Sequence, residues 1–121
     1  MGLKVKELIS ELEKYDENKK VRVLFGMPTP ILWLSHEQNN DLMDGCVLVT
    51  SDEINLHEFD RIETVEELLW NLQFFNKEVT VWNNDLESCW SAICEVCDDV
   101  KDAEGNIIDM VFLINYAHMI G

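Results

Sequence analysis

The sequence is poor in cations. It contains nine Lys and Arg residues against 24 Asp and Glu among 121 residues, which gives a formal net charge of -15. Nucleic acids and anionic membranes repel a chain of this charge, so we expect it to bind neither. The partners that its charge favours are cations and basic protein surfaces. A simpler interpretation is that the acidity only keeps a small protein soluble.

The sequence also lacks the motifs of the common enzyme classes. Its five glycines are isolated, so there is no glycine-rich phosphate loop, and no GxSxG nucleophile turn occurs. The three histidines, His36, His57 and His118, are far apart and show no short metal-ligand spacing. Carboxylate pairs of the kind that hydrolases use occur by chance in any acidic chain. We therefore predict that the protein is not an enzyme.

No apolar run approaches the roughly 20 residues that a membrane span needs. The N-terminal segment, MGLKVKELISELEK, is charged and amphipathic, unlike the apolar segment of a signal peptide. These features predict a soluble, cytoplasmic protein that makes no contact with membranes. In that compartment its four cysteines should be reduced thiols.

The cysteine spacing is the sharpest motif in the chain. Cys89, Cys94 and Cys97 have the spacing found around some iron–sulfur clusters, and Cys94-x2-Cys97 is half of a zinc site. However, residues 90–97 read as a strand, and strand alternation places Cys94 and Cys97 on opposite faces. We therefore predict no metal and no cofactor, with the cysteines serving as small buried hydrophobes. A thiol–metal protein remains the less favoured alternative.

The chain does contain an internal repeat, a helix-to-strand segment that occurs at residues 4–25 and again at residues 64–84. Apolar residues at three- and four-residue spacing predict an amphipathic helix in each copy. Thr64 and Glu67 form a capping-box pattern at the start of the second helix. Six residues of the first helix match the second at an offset of 60: Val5, Glu7, Leu8, Ile9, Leu12 and Tyr15 match Val65, Glu67, Leu68, Leu69, Leu72 and Phe75. Four later residues match at an offset of 58: Asn18, Lys19, Val21 and Val23 match Asn76, Lys77, Val79 and Val81.

Six strands are predicted from alternation and short apolar runs, at residues 20–25, 31–35, 46–50, 78–82, 90–97 and 107–114. Residues 26–30 are predicted to be a connection because they contain two prolines. Residues 37–45 and 98–106 are predicted loops, and 83–85 a turn. The predicted fold is α+β, a duplicated αβββ unit with two helices packed on antiparallel sheet. We expect residues 1–121 to form a single domain from two pseudo-repeats, about 3–50 and 63–114. Two separate three-stranded sheets, each with its own helix, are the alternative arrangement.

An acidic run lies between the last two predicted strands. Only Lys101 opposes its six carboxylates, which fall within fifteen residues: Glu95, Asp98, Asp99, Asp102, Glu104 and Asp109. Such a run is most simply a solvated face. The functional interpretation is that the carboxylates imitate nucleic-acid phosphates and pair with the Arg and Lys of a nucleic-acid-binding surface. Trp33, Trp82 and Trp90 are candidate aromatic anchors for that interface.

The segments VKELISELEKYDENKKVRV and VEELLWNLQFFNKEVTV resemble small orphan proteins of phages and mobile elements, which carry a V-x-E-L-[IL]-x-x-L helix followed by a V-x-V strand. Some small acidic phage proteins of this kind are anti-CRISPR or other anti-defence inhibitors. The resemblance implies a non-enzymatic acidic inhibitor, acting in the cytoplasm of a host bacterium on the basic surface of a CRISPR effector or another nuclease. The alternative is a structural or scaffolding module of phage origin that self-associates, for example as a homodimer.

Overall fold

The computed structural model describes residues 2–38, 41–51, 61–85 and 90–116. It contains two helices and seven strands, so the α+β class is confirmed. The helices are α1 (Val5–Leu12) and α2 (Val65–Leu72). The strands are β1 (Val21–Phe25), β2 (Met27–Thr29), β3 (Ile31–Gln38), β4 (Asp41–Thr50), β5 (Val81–Asp85), β6 (Trp90–Cys97) and β7 (Val111–Asn115). The bounds of β6 are those predicted from the sequence. Neither helix of the described chain is long and apolar enough to cross a membrane.

The seven strands form one mixed sheet in the order β2-β1-β7-β6-β5-β4-β3. The pairs β1–β7 and β4–β5 are parallel and the other pairs are antiparallel, so the prediction of a purely antiparallel sheet is wrong. The two strands that end this order, β2 and β3, follow each other in the chain and are separated only by Pro30. The sheet is therefore nearly closed and barrel-like. Across the described residues it is a single sheet and not two three-stranded ones.

Two predicted connections are strands in the structure. In the first, β2 pairs with β1 and places Pro28 opposite Leu24. A proline is tolerated there because β2 ends the strand order, so no further neighbour on that side needs its missing N–H. In the second, Gln38 pairs with Asp41, so the predicted loop at residues 37–45 is mostly strand. Polar composition indicated a loop, but backbone pairing does not depend on apolar side chains.

Two strands of the second half, β5 and β7, are displaced from their predicted positions. β5 begins at Val81 and includes the predicted turn at residues 83–85, while β7 begins at Val111 and not at residue 107. Asparagine favours turns because its side chain bonds to nearby backbone. Asn83 instead occupies a strand, where it pairs with Ser91.

Both helices begin where the sequence predicts, although each ends about a turn before its apolar pattern does. They bury the same three positions: Val5, Leu8 and Leu12 in α1, and Val65, Leu68 and Leu72 in α2. At the start of α2, Thr64 Oγ1 accepts the N–H of Glu67 at 3.2 Å, which is the predicted cap. The Glu67 carboxylate accepts a hydrogen bond from the N–H of Glu63 at 3.3 Å.

Each helix is anchored to the turn that follows the other helix. The N–H of Val5 donates to the carbonyl of Val79 at 2.9 Å, and the N–H of Val65 donates to the carbonyl of Lys19 at 3.0 Å. These two bonds are related by the offset of 60 found between the two helix sequences. A second pair of backbone bonds has the same offset: the N–H of Lys6 donates to the carbonyl of Lys77 at 3.1 Å, and the N–H of Glu66 donates to the carbonyl of Glu17 at 3.0 Å. Because β1 begins at Val21 and β5 at Val81, the strands share the offset of the helices, and the offset of 58 inferred for them is wrong.

The core has two parts. The larger cluster contains the buried faces of both helices and the inward residues of the sheet, so the two halves share it. The smaller cluster consists of Leu24, Phe112 and Ile114 on the other face of β1 and β7. This second cluster supports the segment between β6 and β7, which carries the predicted acidic site.

Candidate functional site

The acidic site lies on a hairpin that leaves the sheet after β6 and returns to it at β7. We call residues 98–109 the acidic hairpin. Its two arms are joined by a bridge between Lys101 and Ile107 and by the N–H of Ile108, which donates to the carbonyl of Val100 at 2.8 Å. Val100, Ile108 and Met110 pack against the smaller core cluster. The root of the hairpin is therefore fixed by apolar contacts.

Asp102 organises the tip of the acidic hairpin. Its Oδ1 accepts the N–H of Glu104 at 2.9 Å and the N–H of Asn106 at 3.0 Å. Its own N–H donates to the carbonyl of Asn106 at 2.8 Å. Gly105 completes the turn with φ of +87°, in the left-handed region that favours glycine. The Asp102 carboxylate thus holds the loop in shape and leaves the neighbouring side chains to face solvent.

Lys19 forms ion pairs with two carboxylates of the acidic hairpin. Its Nζ lies 3.3 Å from Oδ1 of Asp109 and 3.6 Å from Oδ2 of Asp98. The hydrogen bond to Asp109 is the main reason that the pKa of Lys19 is raised, although loss of hydration opposes it. Lys19 follows α1, so this contact ties the two arms of the hairpin to the first half of the chain.

Five of the six predicted carboxylates are exposed and Asp98 is half-buried. Asp102 and Asp109 make the contacts described above, and the other exposed residues are Glu95, Asp99 and Glu104. Within the described ranges no Lys, Arg or His lies within 4.0 Å of any of these last three. Glu95 lies on β6, where it pairs with Ile114, and is separate from the hairpin tip. The six predicted residues therefore have three different roles: two pair with Lys19, one shapes the loop, and three have no cation within 4.0 Å among the described residues.

Cys94 and Cys97 lie on the same face of β6, because both pack against the smaller core cluster. The prediction that they lie on opposite faces is wrong. The register of β6 against β7 shifts between Ile93 and Glu95, and such a bulge interrupts strand alternation. Burial raises the pKa of both thiols, which disfavours the thiolate that binds metals.

No group of three or more potential metal ligands occurs among the residues that the structure describes. Cys89, His57 and His118 lie outside those residues. His36 stacks on Phe75, with ring centroids 4.2 Å apart and an interplanar angle of 19°. This contact gives His36, on β3, a packing role.

Two of the three predicted aromatic anchors, Trp33 and Trp82, are less exposed than Trp70 and Phe74, which were not predicted as anchors. Trp33 is 41% exposed and Trp82 is half-buried, while the side chain of Trp90 lies outside the described part of the structure. Trp70 and Phe74, by contrast, are 64% and 63% exposed. Their rings meet edge to face, with centroids 5.6 Å apart and an interplanar angle of 83°. Both residues fall outside the apolar stripe that the sequence predicts to be buried in the second helix. The sequence pattern therefore already indicates that their side chains are exposed.

The structure thus offers two candidate binding features: an anchored acidic hairpin and an exposed aromatic pair at the C-terminal end of α2. No protein-family model, curated protein or solved structure matches this chain. The argument about function therefore depends on the chain's own residues and their contacts.

Proposed function

We propose that this protein is a non-enzymatic acidic inhibitor that binds the basic, nucleic-acid-binding surface of a host protein. Anti-CRISPR or another anti-defence activity is the specific form to test first. The observation that carries the proposal is the acidic hairpin, which holds Asp99 and Glu104 in solvent on a loop that is fixed at its root and at its tip.

Rigidity matters to this proposal because a loop that is already ordered loses little entropy on binding. Exposed carboxylates steer a basic partner and speed its association, and their effect decreases as salt concentration rises. A single exposed ion pair contributes only about 0–1 kcal/mol. Strong inhibition therefore requires several carboxylates acting together, as the hairpin provides.

The distribution of cations supports an acidic binding surface. Six of the nine Lys and Arg side chains already lie in ion pairs within the protein: Lys4, Lys6, Lys14, Lys19, Arg22 and Arg61. These pairs engage only five carboxylates of the described residues, and because the chain has 24 Asp and Glu residues, the charge that it offers to a partner is predominantly negative.

We also propose that the fold is a duplicated αβββ unit. The hydrogen bonds that repeat at an offset of 60 support this reading if β2 and β3 are taken as one strand interrupted at Pro30. The two halves then differ in the connection of their last two strands. In the first half β3 ends at Gln38 and β4 begins at Asp41, whereas in the second β6 ends at Cys97 and β7 begins at Val111. The acidic hairpin would be an addition to one copy, which the repeated unit does not need for folding.

The test is affinity capture at low salt from a bacterial lysate, followed by a salt gradient and cleavage assays with purified CRISPR effector complexes. We expect nucleic-acid-binding proteins to elute at intermediate salt. The variant Asp99→Asn/Glu104→Gln removes two exposed charges and retains Asp102, so the loop should keep its shape. We expect it to elute at lower salt and to inhibit about tenfold less, since each lost charge pair is worth about 0.5–1 kcal/mol.

The matched control is Glu11→Gln/Glu13→Gln, which makes the same change in net charge at the end of α1. It should leave capture and inhibition close to those of the unchanged protein. If both double variants weaken binding equally, the effect is one of net charge alone and the acidic hairpin is not the binding site.

A further inference from the structure

Trp70 of α2 and Phe74, which lies two residues beyond the end of this helix at Leu72, form an aromatic pair, and we call the surface around them the α2 face. Both side chains are largely exposed, so they contribute little to the core. Their edge-to-face contact keeps the two rings together as one surface. Exposed aromatic residues of this size are enriched where one protein binds another.

The corresponding positions of α1 show that the fold does not require aromatic residues here. The two helices begin and end at matching positions of the repeat and have matching anchor bonds. At the same offset, Ser10 corresponds to Trp70 and Lys14 to Phe74. The first helix therefore folds with polar residues at these two positions. Packing within the fold does not explain the aromatic pair at the second helix.

Three carboxylates lie beside Trp70. A concavity of about 630 Å³ beside Trp70 is lined by Glu17, Glu66 and Glu67. The ammonium of Lys77 is engaged at the end of α2, where it donates to the carbonyls of Gln73 and Phe75. The lining of this concavity therefore combines the indole ring of Trp70 with three carboxylates, and its other residues are Leu69, Asn71 and Gln73.

The corresponding concavity on α1 is lined by charges of both signs. It measures about 440 Å³ and is lined by Lys6, Ser10 and Lys14, together with two glutamates. In the repeat alignment Lys6 corresponds to Glu66. Cations on one helix are thus replaced on the other by a carboxylate and an aromatic ring.

We propose that the α2 face, centred on Trp70 and Phe74, binds an arginine-bearing basic segment of a partner protein. A guanidinium group stacks on the face of an indole ring, and its N–H groups pair with carboxylates at the same time. Trp70 provides the ring, and Glu17, Glu66 and Glu67 provide the carboxylates. This surface takes the same class of partner as the acidic hairpin, but the inference does not require the hairpin to bind.

A second copy of this chain fits the α2 face poorly. A twofold dimer through this face would bring the same three glutamates of each copy together, with repulsion between them. Contact with the lysine-bearing α1 face of another copy would be head-to-tail and would not close on itself. The charge of the surface therefore favours a basic partner of a different sequence.

The experiment uses the full chain labelled with ¹⁵N and an acetylated peptide amide, Gly-Arg-Gly-Arg-Gly-Arg-Gly, with its lysine counterpart for comparison. We expect the arginine peptide to shift the Trp70 indole N–H signal and the amide signals of α2. The lysine peptide should bind there at least threefold more weakly, because an ammonium group cannot stack as a plane.

Trp70→Ser should reduce affinity at the α2 face about tenfold or more, as expected for a central aromatic anchor. Because Ser10 occupies the matching position of α1, this variant should fold normally. Trp70→Leu keeps apolar bulk and should lose the preference for arginine over lysine. Ser10→Ala is the matched control on α1 and should leave every peptide-induced shift unchanged.

Shifts confined to the acidic hairpin, or α2 shifts that persist unchanged in Trp70→Ser, would overturn the inference. So would concentration-dependent changes at α2 without peptide, accompanied by a dimer in light scattering, which would identify a second copy as the occupant. Asp99→Asn/Glu104→Gln separates this inference from the proposed function. It should remove shifts at the Gly105 amide and leave those at α2 intact.

Discussion

Asn115 and Asn83 form a buried hydrogen bond: Nδ2 of Asn115 donates to Oδ1 of Asn83 at 2.7 Å. Both side chains are 2% exposed. Nδ2 of Asn83 also donates to the carbonyl of Leu48 and to Oγ1 of Thr50, each at 2.9 Å. One amide side chain therefore connects β4, β5 and β7, although β5 and β7 are not neighbours in the sheet.

We expect Asn83→Ala to lower the free energy of unfolding by about 2–3 kcal/mol, because it leaves buried partners without a hydrogen bond. Urea denaturation of the two proteins gives the difference. The control is Asn84→Ala, which changes the next residue along the strand. Asn84 is half-buried, so this variant should lower the free energy of unfolding by less than about 1 kcal/mol. Equal losses in the two variants would show that the buried network contributes nothing of its own.

The thiol of Cys46 should make stability depend on pH above 9. Cys46 is fully buried in β4, and burial raises its pKa from 9.0 to about 12. Below pH 9 the thiol is neutral in both the folded and unfolded states and has no effect. Between pH 9 and 12 the unfolded chain releases the proton first, so stability falls by up to about 1.4 kcal/mol per pH unit.

Cys46→Val keeps a small apolar side chain and removes this titration. We expect its free energy of unfolding, measured in urea at pH 8, 9 and 10, to fall less steeply than that of the unchanged protein. Parallel curves would mean that Cys46 ionises as readily in the folded state as in the unfolded chain.

Gly105→Ala tests the backbone of the acidic hairpin. An added Cβ at Gly105 meets no atom within 4 Å, so its cost comes only from the positive φ, about 1–2 kcal/mol. We expect faster amide exchange at Glu104 and Asn106, whose N–H groups bond to Asp102. Gly105→Asn should lose less stability than Gly105→Ala, since asparagine tolerates this conformation better than alanine. If alanine and asparagine behave alike, the loop adopts another conformation in solution.

Sequence periodicity predicted the helices because an amphipathic helix needs only local information. The stripe of Val65, Leu68 and Leu72 and the Thr64 cap are contained in a few neighbouring residues. The exposed positions of Trp70 and Phe74 were also within reach of this reasoning. They lie outside the stripe, so the same pattern that marks the core marks them as surface.

Strand pairing could not be predicted in the same way. β1 pairs in parallel with β7, which comes from the far end of the chain, and alternation within a strand contains no information about its neighbour. The shared face of Cys94 and Cys97 depends on a bulge that arises only when β6 is paired with β7. Even Asn83, a turn former by residue type, lies in a strand because its partners come from distant segments.

The sequence by itself determined the negative charge, the two amphipathic helices and the α+β class, because each depends on composition or on contacts within a few residues. Only the tertiary structure decided which carboxylates are paired with a cation or with the loop backbone. Lys19 reaches Asp98 and Asp109 from another part of the chain, and Asp102 accepts hydrogen bonds from N–H groups of its own loop. Distances between remote residues set these roles, and such distances exist only once the chain has folded.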